Sequence, residues 1–158
     1  MTLCCDVLSI LKGKTLVTAE SLTGGGIGAA LTGVSGSSAV YKGGVISYTN
    51  QVKQQVLGVP AEILDQYGAV SAPVARAMAE GVRKLLDADV SVSVTGLAGP
   101  GGDEFGNPVG TVFIGYSDNR RTMVKHCVFS GDREAIRNQT VETALQLVRF
   151  LQNSDSEK

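Results

Sequence analysis

The sequence predicts a single α/β domain: a mixed sheet with helices on its faces, in three layers, and an antiparallel hairpin late in the chain. Helix-like and strand-like hydrophobic periods alternate along the chain, and this interleaving is typical of α/β folds. Two strand-like segments in the second half are separated only by turn residues, which indicates the hairpin. The length of 158 residues is that of one domain able to bury a sizeable core, since domains run to roughly 150 residues.

The first half of the chain is predicted to alternate short helices and strands. Apolar spacing defines each element, and glycine or proline ends the helices. Thr23 is the predicted N-cap of the second helix, because a threonine hydroxyl accepts hydrogen bonds from free backbone N–H groups. The elements are a helix over residues 3–11, a strand over 15–18, a helix after 24–26 that runs to about Thr32, a strand over 43–48 and a helix over 50–57.

The sequence of the second half of the chain predicts one more strand, the hairpin and two helices. Ser71 caps a helix with Pro73 in its first turn. Residues 89–95 alternate between apolar and polar side chains, the pattern of a strand, and residues 96–110 form a loop with two prolines. The hairpin strands are expected over 109–116 and 121–129, and Asp132 is expected to cap a closing helix whose polar tail frays from about residue 153.

Composition excludes several classes of protein. Charged residues make up 18% and hydrophobic residues 43% of the chain, which argues against intrinsic disorder. The net charge of -1 and pI of about 5.8 argue against a nucleic-acid partner, since such proteins are usually basic. No apolar run approaches the roughly 18–20 residues that span a bilayer, and no targeting pattern opens the chain, so we expect no membrane partner. Three cysteines provide no disulfide framework, which suits the reducing cytoplasm.

The single histidine, His126, limits the available chemistry. A histidine-dependent catalytic triad would have to use this residue, and a site with several histidine ligands is excluded. His126 lies beside Cys127 in an alternating segment, where a structural role is expected. No pair of Cys or His has metal-ligand spacing, so we expect neither a metal site nor a cofactor held by one.

Most of the 20 glycines lie in two stretches, residues 24–44 and 96–110, each of which follows a predicted strand. Ligands of open α/β sheets bind at the ends of such strands. Thr23, Gly24 and Gly25 open a helix, where free N–H groups and the helix dipole suit a phosphate or a developing oxyanion. The alternative is that these glycines serve tight turns and close packing. Two such loops in comparable positions favour a site.

Known glycine motifs fit poorly. Gly24, Gly26 and Ala29 match the dinucleotide-binding fingerprint, but the match begins several residues after its strand and lacks the acidic residue that holds a ribose. A nicotinamide-dependent oxidoreductase would depend on this fragment alone. A phosphate-binding loop ending in Gly-Lys-Ser/Thr is absent, as is the Gly-x-Ser-x-Gly nucleophile elbow.

A lysine can replace histidine as a general base when burial lowers its pKa. Ser21 follows the first strand and precedes the glycine-rich helix start, where a nucleophile would be exposed at the sheet edge. Lys53 could return to the same edge, and Tyr48 could relay a proton or orient the pair. The alternatives are a turn residue for Ser21, a solvated helix charge for Lys53 and a core ring for Tyr48.

Three further residues are candidates for substrate contact. Thr95 ends the strand before the second glycine-rich loop, with Gly96 beside it. Arg133 and Arg137 lie one turn apart on the closing helix and could meet an anionic group. Their alternative role is as surface charges.

Seven blocks of the sequence resemble the CinA C-terminal domain family, the nicotinamide mononucleotide deamidases. They occur in the family's order and cover nearly the whole chain from about Thr15 to the closing helix. The blocks are TAESLTGG (18–25), GSS (36–38), GGVISYTN (43–50) with Lys53, GAVS (68–71), VTGLAGP (94–100), PVGTV (108–112) and GDR (131–133).

The resemblance implies hydrolysis of the carboxamide of nicotinamide mononucleotide to nicotinate mononucleotide and ammonia, in pyridine nucleotide salvage. It implies a Ser/Lys amidohydrolase mechanism without metal or cofactor, and a homodimer or higher homo-oligomer. Ser21 corresponds to the nucleophile, Lys53 to the general base and Tyr48 to an assisting group. Thr95 corresponds to a residue that positions the amide and Arg133 to a substrate-binding residue; Arg137 is the alternative anionic contact.

The sequence departs from the family pattern in three places. Many members carry this domain behind a molybdopterin-binding-like domain that these 158 residues do not include. Asn107 stands where many members have lysine, which removes one possible phosphate contact, and Tyr41 stands where they often have phenylalanine. A competing interpretation is a non-catalytic nucleotide-binding or regulatory module, since family members are also associated with competence and DNA damage.

Overall fold

A five-stranded mixed sheet organises the chain, and the computed structural model describes residues 2–156 of it. β1 (Leu16–Glu20) pairs in parallel with both β2 (Tyr41–Ile46) and β3 (Val90–Gly96). β4 (Thr111–Ser117) runs antiparallel to β3, and β5 (Thr122–Val128) runs antiparallel to β4. The strand order is β2-β1-β3-β4-β5. The predicted α/β fold with a mixed sheet and a late hairpin is confirmed.

Helices cover both faces of the sheet. The first, second and last helices pack together on one face, and the fifth packs on the other with the fourth against it. A short 3-10 turn, Ser37–Ala39, precedes β2. The helices are α1 (Thr2–Ile10), α2 (Gly26–Thr32), α3 (Asn50–Gln55), α4 (Ala61–Tyr67), α5 (Ala72–Leu85) and α6 (Arg133–Ser156).

Two hydrophobic cores result, one on each face of the sheet. Alternate residues of β1 pack into one core or the other, because successive side chains of a strand point to opposite faces of the sheet. Leu16 joins the core under α1, α2 and α6, whereas Val17 and Ala19 join the core under α5. All of β1 is buried, which identifies it as an interior strand.

The polar positions of β3 are also buried, although their alternation with valine is typical of a strand with one solvent-exposed face. Ser91 Oγ donates to the carbonyl of Ala79 at 2.6 Å, and Ser93 Oγ donates to that of Ala75 at 2.7 Å. Both acceptors belong to α5, so each hydroxyl is satisfied by the helix that covers it. These small side chains let α5 approach the sheet closely.

The loops that form the candidate site lie at one edge of the sheet. β1, β2 and β3 are parallel, so all three end at the same edge, which we call the carboxyl edge. β4 begins there opposite Gly96, β5 ends there, and α6 begins after the loop that follows β5. After β1 the chain continues to β2 on one side, and after β3 it continues to β4 on the other side. The ends of β1 and β3 therefore form a topological switch point, the usual location of binding sites in open α/β sheets.

Three details differ from the sequence-based expectations. β2 ends at Ile46, so Tyr48 lies in the following loop rather than in the strand. α4 was not predicted, because seven residues carry too short a pattern; its Leu64 is buried in the core under α5. The expected fraying from residue 153 is wrong up to Ser156, where α6 ends; residues 157 and 158 lie outside the described part.

Within residues 2–156, no helix combines the length and the apolar character that crossing a bilayer requires. The same residues contain no group of three or more His, Cys, Asp or Glu side chains arranged to hold a metal ion.

Replacing Gly115 with alanine tests the close approach of α5 to the sheet. A Cβ at Gly115 would lie 2.4 Å from Ser93 Oγ and 2.5 Å from the Ala75 carbonyl oxygen, so the helix or the strand must shift. We expect the free energy of unfolding in urea to fall by about 1–3 kcal/mol. Gly101→Ala is the control, since nothing lies within 4 Å of its Cβ. Equal stability of the two variants would contradict the packing described here.

Candidate active site

Ser21 occupies the turn that follows β1 at the carboxyl edge. Its N–H donates to the carbonyl of Val94 in β3 at 3.1 Å, and its own carbonyl accepts from Gly24 N–H at 3.1 Å. These bonds attach the turn to the neighbouring strand on one side and close it on the other. The Ser21 hydroxyl is thereby held at a defined place, only 7% exposed.

Lys53 reaches Ser21 from the adjacent loop and helix. Its Nζ lies 3.0 Å from Ser21 Oγ and 2.7 Å from the carbonyl oxygen of Ser47, to which it donates. Thr49 caps α3 by accepting from Val52 N–H at 3.3 Å, which directs the first turn of α3 toward the carboxyl edge. Two residues 32 positions apart in the sequence therefore meet at hydrogen-bond distance.

The Lys53 amine is almost completely buried, with 1% of the residue exposed. No acidic side chain among residues 2–156 forms an ion pair with it. Desolvation consequently lowers the pKa of Lys53 from its ordinary value of 10.5 to about 8. With this pKa, roughly a tenth of the lysine is neutral at pH 7 and about half at pH 8, far more than for an exposed lysine, and the neutral form can accept a proton.

A cavity of about 310 Å³ opens beside this pair. Ser21 and Lys53 form its floor together with the loop after β3, and its mouth is bordered by Tyr48 and Arg133. Its other lining residues are Leu22, Asn50, Ala69, Val70, Thr95, Gly96, Leu97, Ala98, Gly99 and Gly101.

Tyr48 and Arg133 meet across the mouth of the cavity. Arg133 Nη2 donates to the Tyr48 hydroxyl at 3.1 Å, and Arg133 Nη1 donates to the carbonyl of Gly99. Tyr48 is 59% exposed, and among the described residues its hydroxyl has no hydrogen bond to Ser21 or Lys53. The structure therefore places Tyr48 at the rim with the arginine rather than within the serine–lysine pair.

Thr95 and Gly96 line the same cavity as Lys53. The Thr95 hydroxyl donates to the carbonyl of Ala69 at 2.8 Å, which joins the end of β3 to the segment before α5. A Cβ at Gly96 would lie 2.7 Å from the Thr111 carbonyl oxygen, so only glycine allows β4 to approach here. Both residues are at the site, with contacts that shape its wall.

The start of α2 differs from the expectation that it would bind an external anion. Glu20, at the end of β1, turns its carboxylate onto this helix start and accepts from the N–H groups of Ile27 at 2.8 Å and Gly28 at 3.0 Å. Thr23 is not the N-cap; its hydroxyl donates to Glu20 Oε1 at 2.6 Å. Because an internal carboxylate already uses the N–H groups, this helix start is not open to a substrate phosphate.

Gly24 and Gly25 serve the turn rather than the cavity wall, since neither lines the cavity around Ser21. Their φ values are +59° and +101°, in the left-handed region that glycine adopts without strain. A Cβ on Gly25 would also lie 3.1 Å from Ile46. The first glycine cluster thus matches the alternative of tight turns and close packing.

Arg137 faces the same turn and does not line the cavity beside Ser21. Its Nε donates to the Leu22 carbonyl at 2.9 Å and its Nη2 to the Thr23 carbonyl at 3.1 Å. With Thr23, it lines a neighbouring hollow of about 430 Å³, which Arg133 also borders. Of the two candidate arginines, only Arg133 therefore reaches both spaces.

His126 has a structural environment on β5, the outermost strand at that end of the sheet. Its ring stacks on Phe113 of β4 with centroids 4.5 Å apart. The cysteines are free thiols, and burial raises the pKa of both Cys4 and Cys127. None of these groups lines the cavity beside Ser21.

Two groups at the site were not predicted from the sequence. Ser47 supplies the carbonyl that binds the Lys53 amine, and Glu20 supplies the carboxylate that organises the Ser21 turn. The predicted first strand ends at residue 18, so the need of Glu20 for internal partners becomes visible only when the structure shows it at the end of a fully buried strand. No signal marks Ser47, since it acts through its backbone.

The fold and this geometry define an α/β domain with a buried serine–lysine pair at the ends of parallel strands. A sequence profile described as the CinA C-terminal domain matches residues 4–151. The chain belongs to the CinA C-terminal domain family.

Two curated relatives illustrate the similarity in sequence. A CinA-like protein from Parasynechococcus marenigrum is 51% identical over 147 residues, which are 90% of this chain and 35% of the relative. A CinA-like protein from Geobacter sulfurreducens is 48% identical over 138 residues, 87% of this chain and 33% of the relative. The chain thus spans about a third of the length of these relatives.

Solved structures share the whole domain. A competence-damaged protein (CinA) superfamily protein from Klebsiella pneumoniae superposes with a TM-score of 0.93 at 34% identity, covering 97% of each chain. The competence/damage inducible protein CihA from Agrobacterium tumefaciens superposes with a TM-score of 0.91 at 38% identity, covering 96% of this chain and 94% of its own.

Burial of Lys53 predicts a pH-dependent stability. The unfolded chain binds the lysine proton up to its ordinary pKa of 10.5 and the folded chain only up to about 8, so stability rises with pH between these values. Lys53→Met removes this titration. The free energy of unfolding of Lys53→Met minus that of the wild type should therefore decrease by about 1.4 kcal/mol per pH unit above 8.

Urea unfolding at pH 7, 8, 9 and 10 measures this difference. Lys12→Met, a substitution of an exposed lysine, supplies the matched baseline. A difference between Lys53→Met and the wild type that is constant over this range would show that the amine is not desolvated in the folded protein.

Proposed function

We propose that this protein is an amidohydrolase that converts nicotinamide mononucleotide to nicotinate mononucleotide and ammonia, with Ser21 as nucleophile and Lys53 as general base. The observation that carries the proposal is the 3.0 Å contact between Ser21 Oγ and a buried lysine amine at the floor of a cavity. The family resemblance supplies the substrate. The geometry supports the chemical roles.

The first step is the attack of Ser21 on the carboxamide. Neutral Lys53 has two N–H groups and one lone pair; one N–H donates to the Ser47 carbonyl, which leaves the lone pair for the Ser21 hydroxyl. As the Oγ–carbon bond forms, the hydroxyl proton moves to Nζ and the carbonyl electrons move to oxygen. A tetrahedral oxyanion results.

Backbone N–H groups of the loop after β3 are the proposed stabilisers of this oxyanion. The Ser21 N–H is not available, because it donates to Val94. Ala98, Gly99 and Gly101 line the same cavity as Ser21 and Lys53, so their N–H groups are the candidate donors to the oxygen of a carboxamide bound there. Each such donor typically contributes about 3 kcal/mol to transition-state stability.

Collapse of the intermediate releases ammonia. The Lys53 ammonium returns its proton to the departing nitrogen, so ammonia leaves as a neutral molecule and an acyl-enzyme on Ser21 remains. Water then attacks the acyl carbon while Lys53 accepts its proton, and Ser21 leaves with that proton. The products are the regenerated pair and a carboxylic acid, which ionises to the carboxylate by releasing its proton to the solvent.

The mouth of the cavity suits an anionic substituent on the substrate. Arg133 is exposed and lies where the cavity meets the neighbouring 430 Å³ hollow, whose lining includes Arg137 and Asn138. A substrate with its amide at Ser21 and a phosphate at this mouth would place that phosphate beside the Arg133 guanidinium. A guanidinium binds phosphate through two parallel N–H groups.

A non-catalytic nucleotide-binding module is the alternative, and competence or damage appears in the names of the solved structures. A binding module has no need of a desolvated lysine beside a serine, since burial of that amine is unfavourable and adds nothing to binding at the rim. Ligand binding without release of ammonia would favour the module.

Ser21→Ala and Lys53→Met test the proposal directly. Each removes one partner of the proton transfer, so we expect the rate of ammonia release from nicotinamide mononucleotide to fall by about 10³-fold or more. Ser9→Ala and Lys12→Met, at exposed positions of the first helix and the loop after it, are the matched controls. Wild-type turnover in either site variant would rule out the pair as the catalytic machinery.

Arg133 and Arg137 are expected to give different phenotypes on replacement by alanine. Arg133→Ala should raise KM for the mononucleotide by about 10- to 100-fold, because one charged hydrogen-bonding group is lost. Arg137→Ala should instead lower the free energy of unfolding by about 1–2 kcal/mol, since it ties α6 to the Ser21 turn.

Nicotinamide riboside, which lacks the phosphate, separates the two roles. If Arg133 binds phosphate, Arg133→Ala should leave KM for the riboside nearly unchanged. An equal rise in KM for both substrates would assign Arg133 to another part of the substrate.

A further inference from the structure

Glu20 is the most completely buried acidic group near the cavity, and it takes no part in the chemistry proposed above. It is 2% exposed, and its carboxylate accepts from two hydroxyls and two backbone N–H groups. It does not line the cavity and cannot touch a substrate there. Its hydrogen bonds nevertheless connect it to the chain segments that hold Ser21 and Lys53.

We propose that Glu20 is a positioning residue that sets the distance between Ser21 and Lys53. The proposal rests on the proposed function for its effect on turnover, but its effect on the reactivity of Ser21 can be measured separately. Two connections carry it, one through the side chain of Glu20 and one through its backbone.

The side chain closes the turn that presents Ser21. Glu20 immediately precedes Ser21, and its carboxylate holds the N–H groups of Ile27 and Gly28 and the hydroxyl of Thr23. The chain from β1 to the first turn of α2 therefore forms a closed loop whose two ends meet at one carboxylate. Ser21 lies inside this loop, so its hydroxyl has little freedom to move away from the pair.

The backbone of the same residue fixes the partner of Lys53. The Glu20 carbonyl accepts from Ser47 N–H at 2.7 Å, and the Ser47 carbonyl accepts from Lys53 Nζ at 2.7 Å. Glu20 is thus linked to Ser21 by a peptide bond and to the Lys53 amine through two short hydrogen bonds. A shift of Glu20 would displace the nucleophile and the base by different amounts.

A carboxylate is the side chain that this place requires. The N–H groups at the start of α2 have no intrahelical acceptors, and an ionised acid satisfies two of them with charge-assisted bonds. An amide in the same place would present a donor to one of these N–H groups. The Glu20 carboxylate also occupies the helix start, which leaves Arg133 as the proposed anion contact at the cavity.

Glu20→Gln tests the proposal because it keeps the shape of the side chain and removes the charge. We expect kcat for ammonia release to fall by about 10- to 100-fold with KM changed by less than about 3-fold, since a misplaced nucleophile affects the chemical step and not binding at the rim. A mere loss of folded protein would lower the active fraction without changing the rate per active site.

Asp118→Asn is the matched control. Asp118 is a buried carboxylate that, like Glu20, accepts from two backbone N–H groups, those of Arg120 and Arg121; it also accepts from one hydroxyl, that of Tyr116 at 2.7 Å. It lies just beyond the end of β4, at the opposite edge of the sheet from Ser21. Its replacement should lower the melting temperature as Glu20→Gln does, with kcat unchanged.

Labelling of Ser21 by a fluorophosphonate supplies a readout that needs no substrate. The Ser21 Oγ–phosphorus bond forms, the phosphorus–fluorine bond breaks, fluoride leaves, and Lys53 accepts the hydroxyl proton. The labelling rate of folded Glu20→Gln should be about 10-fold or more below that of Asp118→Asn. Rates within about 2-fold of each other would overturn the proposal, as would failure of wild-type Ser21 to react at all.

The two proposals can fail separately. If the wild type labels at Ser21 but releases ammonia from no pyridine amide, the proposed substrate is wrong and the labelling rates still decide the role of Glu20. If Glu20→Gln does not fold, Thr23→Val replaces it, because it removes a single donor from the carboxylate. Thr23→Val should then slow labelling about 3- to 10-fold, and an unchanged rate would overturn the proposal.

Discussion

A buried amine without a carboxylate partner is the constraint on which the site depends. Lys53 has one carbonyl and one hydroxyl as its hydrogen-bond partners, which suits a neutral amine better than an ammonium. An ion pair would have held the proton on the lysine and prevented it from acting as a base. The fold therefore has to bury Lys53 beside Ser21 without giving the amine a carboxylate partner.

The parallel arrangement of the first three strands meets this requirement. Their ends bring Ser21, the loop that contains Ser47, and Thr95 to one edge from three separate parts of the chain. The acidic residue nearest to the turn, Glu20, is neutralised by helix N–H groups and hydroxyls instead of by Lys53. The carboxylate of Glu20 thus stabilises the backbone of the turn and forms no ion pair with the Lys53 amine.

Much of the fold was predictable because its signals are local. The alternation along β3, the turn residues of the hairpin and the capping of α6 by Asp132, which accepts from Ala135 N–H at 2.9 Å, all lie within short stretches of sequence. α4 was missed because its seven residues depend on packing against α5 for stability. The end of α6 was placed too early because polar composition does not by itself terminate a helix.

The sequence marks Ser21 and Lys53 as candidate catalytic residues. Their spacing alone is also compatible with a turn residue at Ser21 and a solvent-exposed helix charge at Lys53. The sequence by itself determined the α/β class, the five strands, all the helices except α4, and the family, because periodicity and matched motifs are properties of consecutive residues. Only the tertiary structure decided that Glu20 rather than Thr23 caps α2, and that Arg133 rather than Arg137 faces the cavity. It also decided that Lys53 is desolvated. These outcomes depend on which distant groups exclude water or compete for the same donor, and no local pattern encodes that competition.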